Sequence, residues 1–230
     1  MVKISVILVD SKFSGNVGAV ARVMKNFGCN SLILVSPSCK IDVEAKNRAK
    51  HAQDILDSAI VLNSFEELRN MFDTLIGTTG IIGSDYNVLR SPVLLNDLKE
   101  KILGYDGSLG LVFGREDDGL YQSELSICDF SLHIPSSPVY PVLNLSHAVA
   151  VTLYEIFSVE RGINLLEEHK ALSFEEKNVL LREVDRIIDK TFFCTEDERE
   201  NQRSIWKKFV GKAMLTKREG FALIGFLKKL

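Results

Sequence analysis

The sequence predicts an α/β fold: a mostly parallel sheet with helices on both faces, followed by a small all-helical C-terminal extension. Two observations predict it. Apolar strand-like runs at about 3–10, 32–35, 59–62, 73–78, 109–113 and 130–134 alternate with helical patterns at about 17–27, 42–57, 65–71, 92–103 and 121–127. That alternation calls for parallel strands joined by helical crossovers. From residue 174 the pattern turns wholly helical, at 174–191, 196–214 and 216–229. The expected division is 1–162 for the sheet domain, 163–173 for a linker and 174–230 for the extension.

The first strand, KISVILVD, leads into FSGNVGAVARVMKNFG at 13–28. Val20, Val23, Met24 and Phe27 recur at three- and four-residue spacing, so a helix follows a Gly-rich turn. Gly28 closes it as a C-cap, and Arg22 and Lys25 lie off the apolar stripe. Strand, glycine turn and helix make the layout of an anion or nucleotide site. The dinucleotide fingerprint G-x-G-x-x-G and the phosphate loop G-x-x-x-x-G-K-[ST] are both absent, which argues against a NAD enzyme.

A GTT strand end at 77–79 is followed by a loop over 80–87. The strand 109–113 runs straight into Gly-Arg-Glu-Asp-Asp-Gly. Ligands in open α/β sheets bind past the carboxyl ends of strands, so a loop there with both signs of charge between two glycines is a site candidate. Three of the five prolines, Pro135, Pro138 and Pro141, stiffen the passage from the strand 130–134 to a helix. That helix runs from Asn144 to about residue 159, with Asn144 or Ser146 as its cap. It is expected to bury Ala148, Val149, Val151, Thr152, Tyr154 and Ile156. In the extension, Leu180, Leu181, Val184, Ile187 and Ile188 form one apolar stripe, and Ile205, Trp206, Phe209 and Val210 another. Thr216 with Glu219 signals a capping box. This tail reads as a helical unit without a catalytic site of its own.

At 230 residues the chain can bury one sizeable core. A hydrophobic share of 46% and a charged share of 26% are ordinary for a globular protein. No apolar run approaches the roughly 18 residues that span a membrane, and the start of the chain reads as a strand rather than a leader. Cys29, Cys39, Cys128 and Cys194 are scattered, as are the four histidines. Neither a disulfide framework nor a metal site is expected, and a reducing cytoplasm fits. The net charge of −3 opposes a strongly basic RNA-coating protein, but local patches matter more than totals. Lys40, Lys46, Arg48 and Lys50 make one candidate patch. Arg203, Lys207, Lys208, Lys212, Lys217 and Arg218 make another.

Three segments together resemble the ordered motifs of the SPOUT methyltransferases, SpoU/TrmH branch. They are Asn16 and Arg22 in NVGAVAR, Gly114-Arg115-Glu116 in FGRE, and Leu143-Asn144-Leu145-Ser146 in PVLNLSHA. GTT at 77–79, FGREDDGL and the helical extension look closest to the TrmJ-type subgroup. The resemblance implies a deep trefoil knot built from segments near 77–82, 111–119 and 133–146, and S-adenosyl-L-methionine as cofactor. It implies tRNA as partner, with ribose 2′-O-methylation at nucleotide 32 of the anticodon loop, and a homodimer sharing its active sites. The alternatives are another tRNA or rRNA nucleotide, or a non-catalytic RNA-binding relative.

By the same resemblance the catalytic set is Arg22, Asn16, Glu116 and Asn144, and cofactor contacts fall to Thr78, Thr79, Gly80, Gly114, Ile134, Val142, Leu143 and Asn144. The family makes Arg22 central. A guanidinium, with a pKa above about 12, is a poor base and a good bidentate grip for phosphate. Glu116 is expected to orient Asn16 or Arg22, and Arg115 to face RNA or a partner subunit. Two departures stand out. Val142 replaces a serine common in relatives, and no basic residue follows the GTT turn before Arg90.

Overall fold

The computed structural model describes residues 3–80, 92–162 and 169–230. In chain order the elements are β1 (Lys3–Val9), α1 (Ser14–Asn26), β2 (Ser31–Val35), α2 (Val43–Ala49), α3 (Gln53–Asp57), β3 (Ile60–Leu62) and β4 (Thr74–Thr79). There follow β5 (Val93–Leu94), α4 (Leu95–Ile102), β6 (Tyr105–Asp106), β7 (Ser108–Phe113), α5 (Gln122–Ile127), β8 (Phe130–His133) and α6 (Leu145–Gly162). The chain closes with β9 (His169–Lys170), α7 (Phe174–Lys190), α8 (Glu196–Ala213) and α9 (Lys217–Leu227).

Among the described residues seven strands form one sheet in the order β3-β2-β1-β7-β4-β8-β5. Every pairing in it is parallel, as in Ile7 beside both Ile33 and Val112. The central strands are apolar on both faces, as a sheet covered on both sides requires. Val6, Leu8, Leu111 and Phe113 pack on one face with α1, α4 and α6. Ile7, Val9, Ile33 and Val112 point to the other, against Phe65, Leu68, Phe72 and Cys128. The predicted fold class is the observed one.

Several elements differ from expectation. The glycines at 15 and 18 do not form a turn; α1 already begins at Ser14. Gly18 is there for packing, because a Cβ on it would lie 2.1 Å from the Ala45 carbonyl oxygen. The single helix expected over 42–57 is broken: Lys50 adopts φ 53° and a 3-10 turn at Lys50–Ala52 separates α2 from α3. The helix expected at 65–71 is a 3-10 helix, Phe65–Asn70. Within the helical pattern expected at 92–103, Val93 and Leu94 pair as β5 before α4 begins at Leu95. On α6, Val151 and Tyr154 are exposed rather than buried, while Phe27 meets Tyr154 and Phe157 edge-on. Of the stretch read as a linker, 169–170 pair with β6 and 163–168 lie outside the described residues. So does most of the loop expected over 80–87.

The extension gathers Leu172, Leu180, Val210 and Ile224 into its own small core, with capping boxes at Ser173, Thr195 and Thr216. Trp206 and Phe209, expected on a buried stripe, remain exposed. The buried side of α8 carries Lys208, Val210 and Gly211 instead. Lys208 Nζ donates to the Leu125 and Cys128 carbonyls at 2.9 and 3.0 Å, the free carbonyls at the end of α5. Lys177 pairs with Asp129 at 2.9 Å. Among the described residues no helix is long and apolar enough to cross a membrane.

Candidate active site

Three segments that leave adjacent parallel strands converge at one edge of the sheet. They are the end of β4, the loop after β7, and the passage from β8 to α6. Between them lies a cavity of about 240 Å³. Thr78, Thr79, Gly80, Gly114, Ile134, Val142 and Leu143 line it, together with residues 115–120, Pro141, Leu145 and Ala148. Seven of the eight residues assigned to the cofactor by resemblance therefore meet there. The eighth, Asn144, lines a neighbouring cleft.

The loop after β7 is folded tightly back on itself. Arg115 and Gly119 exchange backbone hydrogen bonds at 3.2 and 3.0 Å, with Gly119 at φ 65°. A Cβ on Gly114 would fall 2.1 Å from the Gly119 carbonyl carbon, so only glycine fits. Arg115 does not face outward as expected. Its side chain is 10% exposed, lies over the Tyr121 ring at 3.9 Å, and meets Asp10 at 3.0 Å and Glu124 at 2.9 Å. Bonding to Glu124 first, and to Asp10, holds its pKa above the usual value. Glu124 also accepts the Tyr121 N–H at 2.7 Å. Arg115 is thus an internal strut that fixes the loop's shape.

The neighbouring cleft, of about 630 Å³, shares Glu116, Val142, Leu143 and Leu145 with the cavity. Inside it Asn16 Nδ2 donates to Glu116 Oε1 at 2.9 Å, and Asn144 Nδ2 donates to Asn16 Oδ1 at 3.3 Å. Asn144 Oδ1 accepts the Ser146 N–H at 2.9 Å and so caps α6. One residue of α1, one of the β7 loop and one of the α6 cap are thereby linked. Arg22 is not among them. It stands six residues beyond Asn16, about 120° around α1, exposed and lining neither space. Among the described residues it has no hydrogen-bond or ion-pair partner.

Residues that the sequence reading missed, or in the case of Arg48 placed only in a basic patch, complete the site. Lys12 donates its backbone N–H to Glu116 Oε2 at 3.3 Å and its ammonium to Asp117 at 2.8 Å, tying the end of β1 to the β7 loop. Phe13, Glu44, Arg48 and Tyr140 line the cleft. Arg48 is the one member of the 40–50 basic patch that lines the cleft, and nothing in the local pattern marks Glu44 beyond its i,i+4 pairing with it. His147, one of the scattered histidines, is exposed and lines the cleft. Among the described residues no group of His, Cys, Asp or Glu could hold a metal ion.

Residues 3–154 match the SpoU rRNA Methylase family. The chain belongs to the SpoU methylase family. Within it, the chain is 42% identical over 229 residues to the tRNA (cytidine-2′-O-)-methyltransferase TrmJ of Methanocaldococcus jannaschii, covering 99% of this chain and 100% of that one. It is 40% identical over 160 residues to the tRNA (cytidine/uridine/adenosine-2′-O-)-methyltransferase TrmJ of Pseudomonas aeruginosa, covering 67% of this chain and 60% of that one. The solved structure of a probable methylase family protein from Haemophilus influenzae Rd KW20 superposes with a TM-score of 0.68 at 28% identity, over 99% of this chain and 95% of that one. The SpoU chain thus belongs to the TrmJ-type group that its motifs resemble, and the likeness to the Haemophilus structure spans sheet and helical extension together.

Proposed function

We propose that the chain is an S-adenosyl-L-methionine-dependent tRNA ribose 2′-O-methyltransferase, acting on cytidine or uridine at position 32 of the anticodon loop. The observation that carries this reading is the adjacency of two spaces. A cavity built from the family's motif segments opens beside a cleft in which Glu116, Asn16 and Asn144 are linked. The full-length likeness to a tRNA cytidine 2′-O-methyltransferase supports the substrate class.

The residues present fit the cofactor. Ile134, Leu145 and Ala148 give an apolar wall suited to an adenine ring, and Glu116, Asp117 and Asp118 on the rim suit a sulfonium and an ammonium group. When bound, the cofactor supplies an electrophilic methyl group. The chain's own residues orient and bind. Asn16, held by Glu116, and Asn144, fixed by its capping bond, hold the sugar hydroxyls so that the 2′-oxygen keeps one alignment. Arg22 grips the adjoining phosphate in a bidentate fork. Its separation from the Asn16 cluster supports a homodimer in which Arg22 serves the site of a second copy. The trefoil knot belongs to the same reading, and so does a cytoplasmic place of action beside tRNA.

The test is methyl transfer from labelled cofactor to unmodified tRNA transcripts with nucleoside mapping, for wild type beside Arg22→Ala. A 2′-O-methylnucleoside at position 32, lost in the variant, is the expected result. Absence of cofactor binding by calorimetry would refute the enzyme reading. Transfer to an rRNA fragment instead of tRNA would replace the substrate.

A further inference from the structure

A cleft that takes an RNA strand has to meet its phosphates, and the lining of this one is short of positive charge. Among the described residues that line it, Arg48 is the one with a fixed positive charge, against the carboxylates of Glu44 and Glu116. Arg22 lines neither space. Arg48 is also well seated. Glu44 and Arg48, one turn apart on α2, lie across the first turn of α1, where Gly15 leaves them room. A Cβ there would sit 2.5 Å from Glu44 Oε1 and 2.8 Å from Arg48 Nε. The guanidinium thus lies beside the residue that precedes Asn16. The helix that carries it is held in turn, since Asp42 caps α2 by accepting the Ala45 N–H at 3.0 Å and Ala45 packs on Gly18.

A guanidinium has two edges that can each present a pair of parallel N–H groups. Arg48 engages one of them, Nε with Nη2, on Glu44 Oε1 at 3.1 Å each. The other edge, one N–H of Nη1 beside one of Nη2, points away from that carboxylate. Among the described residues Nη1 has no protein partner. The Arg48 side chain is 59% exposed. A pair so open adds little stability, but it holds the guanidinium in one orientation with its free edge accessible.

We propose that Arg48 grips, through this free edge, a phosphate flanking the target ribose in the same protomer that holds the ribose. The assignment rests on the methyltransferase reading above and deepens it. An RNA strand carries a phosphate on each side of a ribose. Arg22 of a second copy takes one of them, and Arg48 takes the other. The two unesterified oxygens of a phosphodiester match two parallel N–H groups. Such a contact reads no base, so it sets affinity and register along the strand and leaves nucleobase choice alone.

The experiment measures Kd of the full chain for two tRNA transcripts, with C or U at position 32, across about 50 to about 200 mM KCl. Methyl transfer to the same transcripts is followed in parallel. One phosphate contact contributes about 0.7–0.9 to the slope of log Kd against log salt and roughly four- to fivefold in Kd near about 0.15 M. Arg48→Met should lose that much slope and that much affinity, equally on both transcripts. Arg48→Lys keeps the charge and should return the slope, but without the fork it should restore Kd only in part. Lys3→Met removes the same charge at the exposed start of β1 and should leave the slope as in wild type. Calorimetric cofactor affinity reports folded protein in each variant, since Arg48 does not line the cofactor cavity. An unchanged slope in Arg48→Met, an equal fall in Lys3→Met, or a loss confined to one transcript would overturn the assignment while wild-type methyl transfer stands. Transfer to neither transcript by wild type would overturn the tRNA reading and this assignment with it.

Discussion

Lys208 gives the sharpest physical test of how the helical extension joins the sheet domain. Its ammonium is 3% exposed and donates to two carbonyls at the end of α5. Burial lowers its pKa from 10.5 to about 8. Between those values the folded chain binds fewer protons at this site than the unfolded chain. Stability therefore climbs with pH across the window, is full above about 10.5 and is missing below about 8. The whole difference is about 3 kcal/mol, at about 1.4 kcal/mol per tenfold change in proton activity. Burial lowers Lys207 and Lys212 with the same sign. Burial raises Cys29 to about 11 and Cys128 to about 12, with the opposite sign from about pH 9 upward. Subtracting Lys208→Met from wild type removes the contributions of Cys29, Lys207 and Lys212, and that of Cys128 as well below about pH 10, where its thiol stays protonated with or without the Lys208 ammonium beside it. The variant is freed from burying a charge but leaves two carbonyls unpaired, each costing about 1–3 kcal/mol, so the two proteins should be close in stability near neutral pH. Wild type should then gain on the variant by about 2 kcal/mol between about pH 8 and about pH 10. Urea unfolding followed by circular dichroism across that range measures it. Parallel curves for the two proteins would refute the burial of a charged amine at this junction.

Three further outcomes follow from the same geometry. Glu124→Ala leaves a guanidinium that is 10% exposed without its bidentate partner and should cost about 3 kcal/mol; it should also weaken cofactor binding, and an unchanged calorimetric Kd would separate the strut from the cavity. Asn16→Ala removes the link between Glu116 and Asn144 without touching the cofactor cavity, so kcat should fall by about a hundredfold while cofactor affinity holds; a matching loss of affinity would move Asn16 to a binding role. Gly18→Ala gains about 1 kcal/mol of helix propensity, but its Cβ meets backbone at 2.1 Å, and forced overpacking costs about 3 kcal/mol. Net destabilisation of about 2 kcal/mol is therefore expected in a thermal melt, and a raised Tm would mean that α1 and α2 are not in close approach.

What was legible in the sequence divides by range along the chain. The central strands were read correctly because burial on both faces leaves an unbroken apolar run, and no solvated element imitates it. β5, β6 and β9 were not, because a two-residue strand has no period and exists only through its partner. The break between α2 and α3 was hidden for a related reason: the apolar spacing continues through Lys50, whose left-handed backbone no propensity announces. The glycines of α1 were misread as a turn because glycine serves backbone freedom and close packing alike. Only the Ala45 carbonyl, 27 residues on, decides for packing at Gly18.

The site follows the same rule with one twist. Asn16, Glu116 and Asn144 were grouped by resemblance, and within one chain they are linked although 128 positions separate the outer two. Arg115 sits beside Glu116 in sequence, yet its side chain turns inward to Asp10 and Glu124 while Glu116 turns to the cleft. The tight turn that pairs Arg115 with Gly119 begins between them and sends the two side chains to different sides. A motif read as one block thus holds two roles, a strut and a residue that lines the cleft. Arg22 carries the argument one step further. It shares a helix with Asn16 but not a face, so no rearrangement of side chains alone brings the two together. On the proposed homodimer a second copy of the chain supplies the missing distance, and mixing an Asn16→Ala protomer with an Arg22→Ala protomer should then restore activity that neither has alone; no complementation would refute the shared site.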